Sequence, residues 1–401
     1  MTELGEIPSE WAISKIGELT EIKTGGTPST KCEKYWKDGD IPWMASGDVN
    51  KKIINEVDGR ITKSGMKNSA AKLLPKDTVM IAINGQGKTK GTVAYLNIEL
   101  TCNQSLAGFL PSYNVFNSKY LYYNLQSRYF EIRGLAGDGA RNGLNLGLLR
   151  EILIPIPSIK EQEKIASILS TVDEQIDNVD ALIEKNKELK KGLMQTLLTK
   201  GIGHTKFKKT EIGEIPEEWD VKKLECVFEI LDSMRKPIKA SDREKIEGNI
   251  PYYGASGVID WINDYIFDEE LILLGEDGEN LNSRNSDLAF KISGKTWVNN
   301  HAHVFRVINK KECNIDFMVY YLEAKDYSIY IAGSAQPKIT QAQCRKFLLP
   351  LPEKQEQDKI ASILLESDKK IEEYENKKQK LEELKKGLMQ ELLTGMIRVT
   401  V

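Results

Sequence analysis

The octapeptide "ELKKGLMQ" stands at residues 188–195 and again at 383–390. Chance does not place an eight-residue identity twice in a chain of 401 residues. The match runs outward from it. "PIPSIKEQEKIASILSTVDEQI" opens one copy at 155, and "PLPEKQEQDKIASILLESDKKI" opens the other at 350. A second repeat, "ELGEIPSEWAISKIGEL" at 3–19 and "EIGEIPEEWDVKKLECV" at 211–227, has a different offset. The chain reads X–A–Y, then X–B–Y, with X and Y kept and A and B different. Two copies are too few for a solenoid, so the pattern marks one duplicated unit.

The Y segments carry the periodicity of long helices. Ile165, Leu169, Val172, Ile176, Val179 and Ile183 step by four and three, and Leu189, Leu193 and Leu197 extend the stripe past Asn186. The second copy offers Ile360, Leu364, Ser367, Ile371 and Tyr374, then Leu381, Leu384, Leu388 and Leu392, with Lys378 as an interruption. Ser158 and Glu161 have the spacing of a capping box after Pro157. Gly192 and Gly387 read either as helix C-caps or as glycines that admit a close neighbour. About 40 residues of helix span roughly 60 Å. Two such helices in one chain cover their seams most simply by pairing with each other, and duplication favours an antiparallel pair. The candidate set for helix pairing or partner docking is Ile165, Leu169, Ile176, Leu189, Gly192, Leu193, Ile360, Leu364, Ile371, Leu384, Gly387 and Leu388. The predicted class is α+β: two mixed α/β domains joined by an antiparallel intramolecular coiled coil with a pseudo-twofold axis. The predicted boundaries are 1–157, 158–202, 203–352 and 353–401.

The length allows each half a core of its own. There is no long apolar run and no secretory leader pattern at the start, and the five cysteines are isolated, which points to a reduced, cytoplasmic chain. The formal net charge is −3; residues 1–157 carry a small cationic excess and 203–352 a small anionic one. A chain so balanced binds nucleic acid only through local patches. His301 and His303, two apart with no third ligand nearby in sequence, read as strand residues rather than a metal site. Only three histidines are present, and no constellation for acid–base or nucleophilic catalysis stands out.

"INGQGKTKG" (83–91) imitates a phosphate loop, but the glycine required five residues before Gly87 is Ala82. The sequence after it reads as a strand, so no helix N-terminus would meet a phosphate. A nucleotide-binding enzyme is therefore the lesser alternative. The better reading is a hairpin tip bearing Asn84, Gln86, Lys88 and Lys90, side chains suited to base edges and phosphates. Arg141 and Asn142 in "GDGARNGLN" join them. The second half offers Arg235, Lys236 and Lys239, then Tyr253, then Asn280, Asn282 and Arg284, and finally Gln336 and Lys338.

The whole pattern resembles the specificity subunits of type I restriction-modification systems. "GEIPSEW" and "GEIPEEW", "GGTPSTKCEKYWKDGDIPWM", "IPYYGASGVIDWI" with "LLGEDGENL", and the repeated "KIASIL" and "LKKGLMQ" carry the resemblance. It implies two target-recognition domains, each reading half of a split DNA site, with the helices as spacer. It implies a non-catalytic chain that binds two methyltransferase subunits and recruits restriction subunits. S-adenosylmethionine, ATP and magnesium would act in those partners, and no cofactor or metal is expected in this chain. The specificity subunit of another DNA-modification system is the neighbouring alternative.

Overall fold

The computed structural model describes residues 6–85, 88–137, 143–331 and 337–400. Helices Ser118–Ser127 (α1), Tyr129–Gly134 (α2), Ile159–Lys200 (α3), Ile315–Ala324 (α4) and Lys354–Thr394 (α5) follow in chain order. The chain divides into two units, residues 1–180 with 376–401, and residues 181–375. Each unit thus owns one globular segment and a stretch of both long helices. Among the described residues no helix is long and apolar enough to cross a membrane.

In the first unit the strands are β1 (Ala12–Lys15), β2 (Ile22–Thr24), β3 (Ile41–Met44), β4 (Ile53–Ile54), β5 (Arg60–Ile61), β6 (Val79–Ala82), β7 (Val93–Leu96), β8 (Thr101–Cys102), β9 (Leu106–Phe109) and β10 (Leu153–Ile156). They form a main sheet in the order β2-β9-β6-β7-β4, a small sheet β5-β3-β8, and the pair β1-β10. β6, β7 and β9 are buried on both faces, which is why they read as unbroken apolar runs rather than alternating ones.

The second unit has β11 (Phe207–Thr210), β12 (Gly213–Pro216), β13 (Asp220–Lys223), β14 (Phe228–Ile230), β15 (Glu247–Gly254), β16 (Gly257–Ile262), β17 (Phe267–Asp268), β18 (Leu271–Gly275), β19 (Ala289–Ile292), β20 (Lys295–Val298), β21 (Ala302–Val307) and β22 (Leu348–Leu351). β11 and β12 form a hairpin and β13 pairs with β22; the sheets run β14-β21-β18-β19 and β16-β15-β20-β17. The plan repeats that of the first unit, with four strands instead of five in the main sheet and four instead of three in the small one, and with a parallel pair within each small sheet: β3 with β8, and β15 with β20. Segments A and B, different as strings, are one fold.

The repeated segments hold each unit together. Trp11 and Trp219 are buried, and each indole Nε1–H donates to a repeated glutamate near the start of a long helix, Glu161 at 3.2 Å and Glu356 at 2.9 Å. The next residue repeats as well. Gln162 Oε1 accepts from the Asn117 backbone N–H at 2.8 Å, and Gln357 Oε1 accepts from that of Asn314 at 2.8 Å. Those asparagines cap α1 and α4 with their own side chains, taking the N–H groups of Tyr120 and Phe317 at 3.0 Å. The capping box at Ser158 is half formed. Ser158 Oγ accepts from the Glu161 N–H, but the Glu161 carboxylate turns to Trp11 and Arg398 instead.

A three-residue junction closes each unit. In the first, Lys385 pairs with Asp173 at 2.6 Å, Tyr123 Oη donates to Asp173 at 2.8 Å, and the lysine lies over the Tyr123 ring. In the second, Lys190 pairs with Asp368, Tyr320 Oη donates to Asp368 at 2.5 Å, and the lysine lies over the Tyr320 ring. The lysine belongs to "ELKKGLMQ" in both cases. Asp173–Lys385 and Asp180–Lys378 set α3 and α5 antiparallel in the first unit; Lys187–Glu375 and Lys190–Asp368 do so in the second.

Ile165 and Leu169 are core in the first unit, with Leu388 packed at its edge; Ile360 and Leu364 are core in the second, with Leu193 at its edge, and Ile176 and Ile371 are buried. Two of the pairing residues read from the periodicity lie off the stripe. Leu189 is 57% and Leu384 51% exposed. The stripe passes through buried Asn186 and then Lys190, because an aspartate on the facing helix draws the lysine, not the leucine, into the seam. Gly192 and Gly387 sit inside continuous helix, and a Cβ at either would meet nothing within 4 Å. The helices end instead at Gly201 and Gly395, with φ of 64° and 73°, where a left-handed residue closes the last turn.

The junction carries a stability prediction. Lys385→Met leaves Asp173 half-buried without its cation, at a cost of roughly 1–3 kcal/mol. Adding Asp173→Leu should restore part of the lost thermal midpoint. Additive losses in the double variant would show that the pair is not coupled.

Candidate nucleic-acid interface

In each unit the main sheet ends in a polar connection at the same place. β6 and β7 are antiparallel neighbours, so the element that follows this connection is a strand and not a helix. That removes the dipole a phosphate loop needs and disposes of the nucleotide-binding alternative for this segment. Asn84 and Lys88 are exposed on this tip, whereas Lys90 is buried. Gln86, Arg141, Asn142 and Gln336 lie outside the described residues.

In the second unit β18 and β19 are the equivalent neighbours. Asn280 is turned onto its own loop, its amide donating to Ser286 O at 2.9 Å and its oxygen accepting from Ser286 N–H at 3.0 Å. Asn282 is exposed. Arg284 points back into the unit and donates to Lys325 O at 2.6 Å. Tyr253 packs against Phe290 with ring centroids 6.0 Å apart. Lys236 and Lys239 are exposed on a separate stretch.

Arg235 and Lys338, far apart in sequence, meet at the buried carboxylate of Glu276, at 2.5 and 2.9 Å. Behind them His303 is fully buried on β21. Its Nδ1 lies 2.7 Å from Asp232 and its Nε2 2.9 Å from Ile339 O. A carbonyl only accepts, and the Asp232 carboxylate also accepts from the Val304 N–H, so both ring nitrogens donate and the imidazole is charged. Burial opposes that charge. The hydrogen bonds to Asp232 and the Cys344 thiol, with their fields, outweigh it and raise the pKa to about 10. Asp232, Glu276 and His303 bring ligand atoms within 4.8 Å of one another, a grouping that fits a cation. Here Arg235 and Lys338 already occupy the acidic oxygens. His301, just outside β21, pairs with Asp277 at 2.9 Å.

Two further polar positions, alike in the two units, escape a reading of single loops. Asn103 N–H donates to Met44 O at 3.1 Å, and its side chain accepts from Ser105 N–H at 3.0 Å. Asn299 repeats this with Tyr253 O at 3.0 Å and His301 N–H at 2.8 Å. The residues after them, Gln104 and Asn300, are exposed. The signal was present: "IPWM" with "ASG" matches "IPYYGASG", and "TCNQSLAGF" aligns with "WVNNHAHVF".

A family model described as "Type I restriction modification DNA specificity domain" matches residues 8–190 and 216–383. The chain belongs to this family. The MjaIX specificity subunit of Methanocaldococcus jannaschii is 26% identical, over 99% of this chain and 96% of its own. The putative subunit S.HindORF215P of Haemophilus influenzae is 36% identical over 37% of this chain and 36% of its own. The S subunit of a type I restriction-modification system from M. genitalium shares the fold, with a TM-score of 0.63 at 19% identity over 98% of both chains. A chain solved in work on complex assembly of the type I system gives 0.58 at 16% identity, over 98% of this chain and 100% of that one. In this specificity subunit, the duplicated X and Y segments are the shared scaffold.

The charged His303 makes stability depend on pH in one direction. The imidazole holds its proton to about pH 10 in the folded subunit, against an ordinary value of 6.5. Its contribution is complete below about 6.5 and is lost as pH rises through about 10. His303→Gln should flatten the decline of thermal midpoint between those values. Parallel profiles for parent and variant would show that the ring is neutral.

Proposed function

We propose that each unit reads one half of a bipartite DNA site through the tip of its main sheet, and that the chain acts as the non-catalytic recognition subunit of a restriction-modification complex. One observation carries this reading. The two units share the four-strand antiparallel core of the main sheet and the placement of the polar connection, while the side chains on the connections differ. A scaffold held constant beneath variable polar tips is what reading two different half-sites requires. The long helices, at 42 and 41 residues, fix the spacing between the half-sites. The catalytic groups, with S-adenosylmethionine, ATP and magnesium, belong to the methyltransferase and restriction subunits of a cytoplasmic complex.

The outward face of "ELKKGLMQ" is the proposed docking surface for two methyltransferase subunits. Glycine inside a helix costs about 1 kcal/mol relative to alanine. Gly192 and Gly387 have no neighbour in their units that needs the space. Leu189 and Leu384 beside them are exposed apolar side chains in both copies. A helix of an identical partner laid on each face would use both features.

The test of reading is a map of methylated sites in cells holding this chain and its methyltransferase. Asn84→Ala with Lys88→Ala should relax one half-site and leave the other intact, and should lower the salt slope of DNA binding by about one. Matched four-residue insertions after Asp180 and Asn376 keep the flanking ion pairs and lengthen α3 and α5 by roughly 6 Å. The preferred spacer should then grow by about two base pairs. Changes in both half-sites from the tip variant would defeat the reading.

Docking has its own test. Gly192→Leu and Gly387→Leu meet open space and improve helix propensity, so the isolated chain should be at least as stable. Native mass spectrometry should nevertheless show fewer than two bound methyltransferase subunits. Two tightly held copies on the double variant would place docking elsewhere.

A further inference from the structure

Among the described residues, the two most exposed large apolar side chains are Phe130, 86% exposed, and Ile329, 82% exposed. Isolated apolar residues on a surface are ordinary. These two differ because each lies on a short segment tied to the tip of its own unit, which fixes the backbone there. In the first unit α2 is tied to the tip. Tyr129 Oη donates to Lys88 O at 2.8 Å, and Arg133 donates to Lys90 O at 3.0 Å. Phe130, the next residue, leans edge-on against the Tyr129 ring at 5.1 Å and projects into water.

The second unit ties its tip to the segment after α4 by different contacts. Arg284, on the connection between β18 and β19, donates to Lys325 O at 2.6 Å and to Glu323 O at 3.2 Å, and lies over the Tyr327 ring. Tyr327 is buried, and its carbonyl accepts from Tyr330 N–H at 2.8 Å and Ile331 N–H at 3.1 Å. Ile329 lies within that braced turn. Each tip is thus locked to a short segment that holds out one apolar side chain.

We propose that Phe130 and Ile329 are wedges that enter a base step beside each reading tip. The inference rests on the reading of DNA by these tips and adds the residues that deform it. Lone apolar side chains set among Lys88, Arg133, Arg284 and Lys325 suit an anionic duplex better than an apolar protein patch. Of the local carboxylates, Glu131 is paired with Arg128 and Glu323 lies 3.8 Å from Arg284, while Asp326 accepts from the Ser328 N–H and keeps its charge. Apolar wedges of this kind unstack a step and kink the duplex, and an aromatic ring can also stack on a base. A wedge supplies specificity through the ease of unstacking a step, without a hydrogen bond to any base edge.

The experiment uses the chain bound to its methyltransferase subunits and a duplex carrying the mapped site, with 2-aminopurine placed at successive positions. Binding should raise the fluorescence at one step in each half-site. Phe130→Ala should abolish the rise in one half-site and Ile329→Ala in the other. Each should weaken binding about tenfold or more at an unchanged salt slope, since no phosphate contact is lost. Phe130→Leu should retain most of the effect. Both side chains are exposed, so thermal midpoints should not move. A rise that persists in the alanine variants, or affinities within about twofold of the parent, overturns the wedge while leaving tip reading in place. Loss of methyltransferase subunits from the alanine variants assigns these side chains to a protein contact and also overturns it. If the parent complex shows no preference for its site, tip reading itself fails and the wedge falls with it.

Discussion

The junction of lysine, aspartate and tyrosine is the constraint on which the rest of each unit depends. It ties three elements at one point: a long helix, the helix that faces it, and the domain helix packed across both. An ion pair exposed on a helix surface contributes little. This one is half-buried, shares its carboxylate with a phenol and rests its cation on the same aromatic ring, so each member satisfies the others. Its geometry explains why an eight-residue string is spelled twice. The lysine of one helix must meet the aspartate of the other in both units, and both members lie in the duplicated segment.

The tryptophan and glutamine ties extend that logic to the segments that open each domain. Trp11 and Trp219 are buried against Glu161 and Glu356, so the repeated tryptophans serve the interior of their units. The third partner of each glutamate differs. Arg398 takes it in the first unit, while His204 and the Ile202 N–H take it in the second. In both, the chain leaving a long helix folds back onto the tryptophan that begins a domain. A scaffold braced in this way holds its sheet edges firmly enough for polar tips to vary.

The helical half of the fold was legible because its signals are local. Periodicity at three and four residues, a proline-bounded start and a long apolar stripe need no knowledge of distant contacts. The same local signal misplaced the stripe at Leu189 and Leu384. Hydrophobicity alone prefers leucine, whereas the facing Asp368 and Asp173 select Lys190 and Lys385. Among the interface candidates, Asn84, Lys88, Lys236, Lys239 and Asn282 stand exposed as a loop reading expects. Arg235 and Arg284 do not, because each finds acceptors contributed by segments about 40 or more residues away. No window of sequence contains those acceptors.

By itself the sequence determined that the chain is a duplication, that its repeated parts include two long helices, and that Ala82 stands where a phosphate loop requires glycine. Each of these follows from identity, period or spacing within a short stretch. Only the tertiary structure decided that segments A and B are one fold, since a sheet is specified by pairing and register between strands far apart, and buried apolar residues exchange freely while volume and pattern are kept. The structure also decided that His303 is charged, because both of its acceptors come from other elements. It likewise decided that Phe130 and Ile329 stand beside the tips. Exposure is a property of what fails to cover a side chain, and a linear string does not record it.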